Sequence, residues 1–141
     1  MSFPLRSPRE TVGGIMVLGR ILDKIRLHAQ GGLPQGYHLG VIDGKRTFDD
    51  RISRFLGVSF DALSERVLAG GTDEEILAWC FEVGRHPDAE QIEIFNGFMS
   101  KRGWRDAATT GLKEQKAAAG LAGREDILTF FDLMDAEEGR E

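Results

Sequence analysis

Cysteine is nearly missing from this chain. Cys80 is the single thiol in 141 residues, which excludes an intramolecular disulfide framework and makes a reducing, cytoplasmic setting the expectation. No stretch reaches the roughly 18 consecutive apolar residues that a membrane helix needs, and Met1 to Arg6 hold no apolar run of signal-peptide length. Positive charge is not in excess either. At a formal net charge of -5, a protein built chiefly to coat phosphate backbones is disfavoured, and nucleic acid is left to a local basic patch. Metal-ligand spacing is also lacking: the 3 histidines, His28, His38 and His86, fall in separate segments with no H-E-x-x-H and no C-x-x-C. No metal or cofactor is expected.

What is present is a composition of 41% hydrophobic residues, enough to build the core of one compact domain over 1–141, with 1–6 and 137–141 fraying. The densest apolar stretch follows Gly70-Gly71. Thr72-Asp73-Glu74-Glu75 reads as a capping box, and Ile76, Leu77, Trp79, Cys80, Phe81 and Val83 then cover most of a helix's circumference. A helix so apolar on all sides predicts a rod at about 73–83 sheathed by neighbours. Ser7-Pro8-Arg9-Glu10 looks like a helix start that Gly13-Gly14 ends or bends. From Ile15, apolar residues recur at helical spacing through Ala29, with Arg20, Asp23 and Lys24 on the opposite, polar side, and Gly19 predicts close approach of another helix. Residues 33–46 read as a loop in which Asp43-Gly44 could turn a small hairpin at about 39–47. Short helices follow, ended by Gly57 and capped by Ser59.

Asp88-Ala89-Glu90-Gln91 offers a second capping box for a helix reaching Lys101, with Gly103 as its left-handed stop. Asp106–Ala119 reads as a peripheral helix, and a last helix starts at about Arg124. About six or seven helical segments without β periodicity give an all-α fold, an orthogonal or antiparallel bundle around the 73–83 helix.

Several stretches carry a resemblance: Leu33-Pro34 with Tyr37, Phe55-Leu56-Gly57, Gly70 through Leu77 with Trp79-Cys80, and Phe98 through Asp106. Together they resemble DUF5069, a family of small bacterial proteins classed as a domain of unknown function, over about Ser7 to Glu138. The resemblance implies a fold and no activity.

Candidate chemistry is sparse. Cys80, between Trp79 and Phe81, reads as a buried, inert thiol. Gly40 through Thr47 suggests a phosphate loop, but its glycines are one residue too close and Arg46 follows Lys45 where Ser or Thr belongs. Two features remain. Tyr37 and His38 sit in the irregular loop, where sites tend to lie on a rigid scaffold. Lys101-Arg102-Gly103-Trp104-Arg105 mixes basic and aromatic residues at a helix end, and Arg85 and Asn96 join it if two helices pack as a hairpin. The bland alternative has the cations complementing helix carbonyls, Trp104 packing on the core and Asn96 bonding backbone. With no nucleophile–base or metal constellation, the preferred reading is a small soluble helical interaction protein without catalytic activity, its partner another protein or a second copy. The alternative is a small-molecule or anion site, catalysis included, between Tyr37-His38 and Arg85/Lys101/Arg102. RNA binding through residues 101–105 ranks third.

Overall fold

The structure, a computed structural model, describes residues 3–140. A short ribbon, β1 (Thr11–Val12) and β2 (Ile15–Met16), precedes seven helices: α1 (Leu18–Ala29), α2 (Phe48–Leu56), α3 (Phe60–Leu68), α4 (Asp73–Val83), α5 (Ala89–Lys101), α6 (Thr109–Ala118) and α7 (Phe130–Glu137). The fold is mostly helical, as the sequence predicts.

The ribbon replaces the expected first helix turn. Gly13 and Gly14 have φ of 59 and 82°, two successive left-handed residues of the kind that lets a two-residue loop follow strand twist. Thr11 therefore pairs with Met16 and Val12 with Ile15. Ser7 and Glu10 do exchange a capping contact, Ser7 N–H donating to the Glu10 carboxylate at 3.3 Å, but no helix follows it. The hairpin expected at 39–47 is absent, and that segment is irregular except for a turn closed by Lys45 N–H on the Ile42 carbonyl.

The expected centre is displaced. Of α4, only Ile76, Leu77 and Cys80 are buried, while Val83 is 56% exposed and Trp79 and Phe81 are half-buried. A helix can be apolar all round yet lie at the margin, because large rings cover neighbouring groups with one face and stay wet on the other. Phe81 does this beneath His86, ring centroids 4.0 Å apart and 8° from parallel. The rod at the centre is α1, buried from Leu18 through Leu22 and again at Lys24 and Ile25. Around it gather Ile52 and Leu56 of α2, Leu63 and Val67 of α3, Ile76 and Leu77 of α4, Met99 of α5 and Phe131 of α7. Fully burying each large side chain contributes about 1.5–3 kcal/mol. Leu112, Ile127 and Leu133 form a smaller cluster beneath α6 and α7.

Local chemistry sets the boundaries. Both capping boxes form, at Thr72/Glu75 and Asp88/Gln91, and Gly57 ends α2 in the left-handed conformation. The last helix begins later than expected because Thr129 is its cap, accepting from Asp132 N–H at 3.1 Å. At Gly19 the close approach comes from a side chain and not a helix: a Cβ there would stand 2.9 Å from the Arg6 guanidinium carbon. Arg6 is itself tied to Asp23 and Asp73. Among the described residues of the ends expected to fray, 3–6 and 137–140, Leu5 and Glu138 are buried and Arg140 bonds to Asp135, Glu138 and the Leu5 carbonyl. Met1, Ser2 and Glu141 lie outside the described residues.

Candidate anion-binding site

The polar side of α1 is not in water. The 33–47 loop and the C-terminal residues cover it, and they bring carboxylates to its two cations. Arg20 meets Glu138 in a fork, Nη1 to Oε1 at 2.8 Å and Nη2 to Oε2 at 2.5 Å. One turn on, Lys24 Nζ meets both oxygens of Asp49 at 2.7 and 2.9 Å. Burying a charge is tolerated only with such partners.

These pairs also fasten the loop. Gly40 N–H donates to Asp49 at 2.8 Å, Thr47 donates its hydroxyl to the Gly40 carbonyl at 3.1 Å and caps α2 by accepting from Asp50 N–H. Tyr37 donates its hydroxyl to Glu138 at 2.8 Å. A cavity of about 340 Å³ lies among these groups, lined by Arg20, Lys24, Tyr37, His38, Asp49 and Glu138. Burial presses the Lys24 ammonium below its ordinary pKa against the pull of Asp49, and burial followed by the Lys24 charge lowers His38. Burial and the Glu138 contact raise the Tyr37 phenol. Burial works against ionised Glu138, yet the bonds from Arg20, Tyr37 and Arg140 outweigh it and hold its pKa below the ordinary value. With Glu137 also in its lining, this cavity holds three carboxylates, Asp49, Glu137 and Glu138, against the two cations Arg20 and Lys24, and burial and then the Glu138 charge raise the Glu137 pKa.

The adjoining space is different. His38, Phe48, Gln115 and Met134 line both the first cavity and a second of about 350 Å³. The second is walled by Lys45, Arg46, Arg51 and Arg102. Arg46 and Arg51 in turn line a third, wider cavity of about 740 Å³ with Arg54 and Arg85, over a floor of Phe55, Phe95, Phe98 and Ile94. The second and third cavities thus carry six different cations, and among the described residues no carboxylate lines either one. Behind the wall Asp50 pairs with Arg46 and Arg54, at 2.6 and 3.3 Å, and Asp106 with Arg102 at 3.5 Å.

Arg51 and Lys45 form no salt bridge among the described residues. Burial, then the like charges of Arg102 and Arg46, pull the Arg51 pKa below the ordinary arginine value. The Arg51 and Arg102 guanidinium carbons stand 4.8 and 5.4 Å from the Phe98 ring centroid, within cation–π range. An anion entering here would meet several donors whose mutual repulsion it relieves.

Over residues 2–140 the sequence matches the family described as a domain of unknown function, DUF5069. The chain belongs to that family. No curated protein matches it. In this family member, the sequence-derived site residues separate into two groups. His38 and Arg102 line one cavity, Tyr37 lies in the adjoining carboxylate-bearing cavity and Arg85 in the wide one. Arg85 is held in place by donating to the Arg54 and Phe55 carbonyls, both at 3.2 Å.

The others lie elsewhere. Asn96 holds the ribbon, accepting from Met16 N–H at 3.0 Å and donating to the Gly14 carbonyl at 2.8 Å. Lys101 and Trp104 line none of these three cavities. Trp104 is 45% exposed and does not pack on the core as the bland alternative expects; the Arg105 guanidinium stands 5.2 Å from its ring. Sequence reasoning missed Arg20, Lys24 and Asp49, whose partners are distant in the chain, and the run Lys45, Arg46, Arg51, Arg54. The recurrence of basic residues through 45–54 was the available signal. Among the described residues no group of three or more His, Cys, Asp or Glu could hold a metal ion, and no helix is long and apolar enough to cross a membrane.

Proposed function

We propose that this protein binds a small anionic ligand, bearing a phosphate or carboxylate group, in the basic cavity between the 37–47 loop, the start of α2 and the end of α5. The observation that carries this reading is the lining of the second and third cavities by Lys45, Arg46, Arg51, Arg54, Arg85 and Arg102 without a carboxylate, in a chain whose net charge is -5. Segregating cations into one concave region of an acidic protein raises the local anion concentration and supplies charge-assisted donors. The ion pairs of the cavity beside it orient His38 and the loop. The protein acts as a binder and not as a catalyst, in a reducing cytoplasmic setting that suits a buried, unpaired thiol.

Thermal-shift and calorimetric titration with inorganic phosphate, pyrophosphate and citrate at low salt tests the reading. A ligand at a hundred times its Kd stabilises the folded state by about 2.7 kcal/mol, so a clear upward shift is expected in the wild type. Arg51→Ala and Arg102→Ala should remove most of it, and Lys101→Ala should not. No shift with any anion, or one that survives both arginine substitutions, would refute the assignment.

A further inference from the structure

The third cavity holds more than an anion requires. Its floor is aromatic and open: Phe98 is 43% and Ile94 65% exposed, and Phe55 and Phe95 stack with centroids 4.0 Å apart and planes 7° from parallel. Exposed aromatic and aliphatic surface beside a cationic wall has a cost in water unless something covers it. Arg46 and Arg51 line this cavity and the compact basic one alike, so one molecule can reach both. Gln91 stands at the edge of the aromatic floor. Its side-chain oxygen accepts from Asp88 N–H at 2.8 Å, while its amide nitrogen has no partner among the described residues.

We infer that the ligand is a nucleoside phosphate, its phosphate held by Lys45, Arg51 and Arg102 and its base laid on the Phe98 and Ile94 surface within reach of Gln91. This rests on the anion-binding reading and adds to it the chemistry of the rest of the molecule. A flat heteroaromatic ring matches the phenyl and guanidinium planes and can present edge acceptors to the exposed Gln91 amide, whereas an alkyl chain offers it none. Charge complementarity selects the anionic end, because no carboxylate of the lining would repel it.

Calorimetric titration of the full chain with inorganic phosphate, the common nucleoside monophosphates and diphosphates, hexyl phosphate and a short single-stranded oligonucleotide tests the assignment. At least one nucleoside phosphate should bind about tenfold or more tighter than inorganic phosphate, a gain of about 1.4 kcal/mol. Phe98→Ala should abolish the preference of nucleotide over phosphate, and because Arg51 and Arg102 rest on the Phe98 ring it should weaken phosphate as well. Ile94→Ser, at a site too exposed to threaten folding, should lower the same gain in part while leaving phosphate itself unchanged, and Arg102→Ala should weaken phosphate and nucleotide together. If phosphate and nucleotide bind equally, the base site is refuted and the anion site stands; if neither binds, both fall. Equal gain with hexyl phosphate, or binding of the oligonucleotide alone, also overturns the assignment.

Discussion

Lys24→Met tests the buried charge pair on which the loop depends. The Lys24 and Asp49 side chains are 7% and 1% exposed, and the ammonium contacts both carboxylate oxygens. Methionine fills most of the volume of the lysine stem but removes the charge. Asp49 would then keep the Gly40 N–H at 2.8 Å and the more distant His38 Nε2 at 3.9 Å, against the desolvation of a whole carboxylate. Breaking a buried pair from one side costs about 3–5 kcal/mol, a large share of the roughly 5–15 kcal/mol that holds a domain together.

In urea, read by far-ultraviolet circular dichroism, the midpoint should fall by about 2 M at a typical slope, with the slope itself unchanged. The double substitution Lys24→Met with Asp49→Leu removes both charges and leaves the Gly40 N–H unsatisfied, a cost of about 1–3 kcal/mol. It should therefore be more stable than Lys24→Met alone. If the single substitution costs less than about 1 kcal/mol, or the double is the worse of the two, water reaches Asp49 and the account of a sealed pair is wrong.

Two further outcomes follow from the same geometry. The folded-state pKa of Glu138 is depressed, so its contribution is fully present above the unfolded carboxylate value of about 4.3 and is lost as pH falls through the lower folded value. Urea stability should fall below about pH 4, and Glu138→Gln should lower the neutral plateau and flatten that acid limb; an unchanged limb would refute the link. At the glycines, Gly84→Ala would set a Cβ 2.2 Å from the Leu56 carbonyl oxygen, a backbone atom that cannot swing away, whereas Gly97→Ala in α5 meets nothing within 4 Å. The first should destabilise by more than about 1 kcal/mol and the second stabilise by up to about 1 kcal/mol, and thermal melts giving the opposite order would contradict the packing.

Helix existence was readable because caps and stops are local. Thr72 with Glu75 and Asp88 with Gln91 each satisfy backbone N–H groups within one turn, and no distant contact is needed to see them. The identity of the central helix was not readable from apolar content. Burial of α1 depends on what covers Arg20 and Lys24, and Glu138 stands 118 residues from Arg20 along the chain. Periodicity places those cations on a polar face and can say nothing about a carboxylate that folds over it. The Gly13-Gly14 pair likewise carried two readings, helix stop and hairpin turn, and Asn96, 80 residues from Met16, decides between them by holding the ribbon edge. In the site, Tyr37, His38, Arg85 and Arg102 could be singled out as types, but the wall of Arg46, Arg51 and Arg54 spans the approach to α2 and its length, where Arg46 and Arg54 pair locally with Asp50 at i, i+4 spacing.

The two halves of the groove are therefore one device. An irregular loop has backbone donors and acceptors that no ladder satisfies. Here Asp49 takes the Gly40 N–H, Lys24 neutralises Asp49, and Thr47 ties the Gly40 carbonyl to the first turn of α2. An apolar pair in place of Lys24 and Asp49 would fill the space without fixing Gly40. With Gly40 fixed, His38 on one side and Lys45 and Arg46 on the other are held at the mouth of the basic cavity, so repulsion among the cations cannot be relieved by letting the loop swing out. That is the condition the proposed anion binding requires: the energy of gathering like charges is met on folding, and an anion would meet donors already in place.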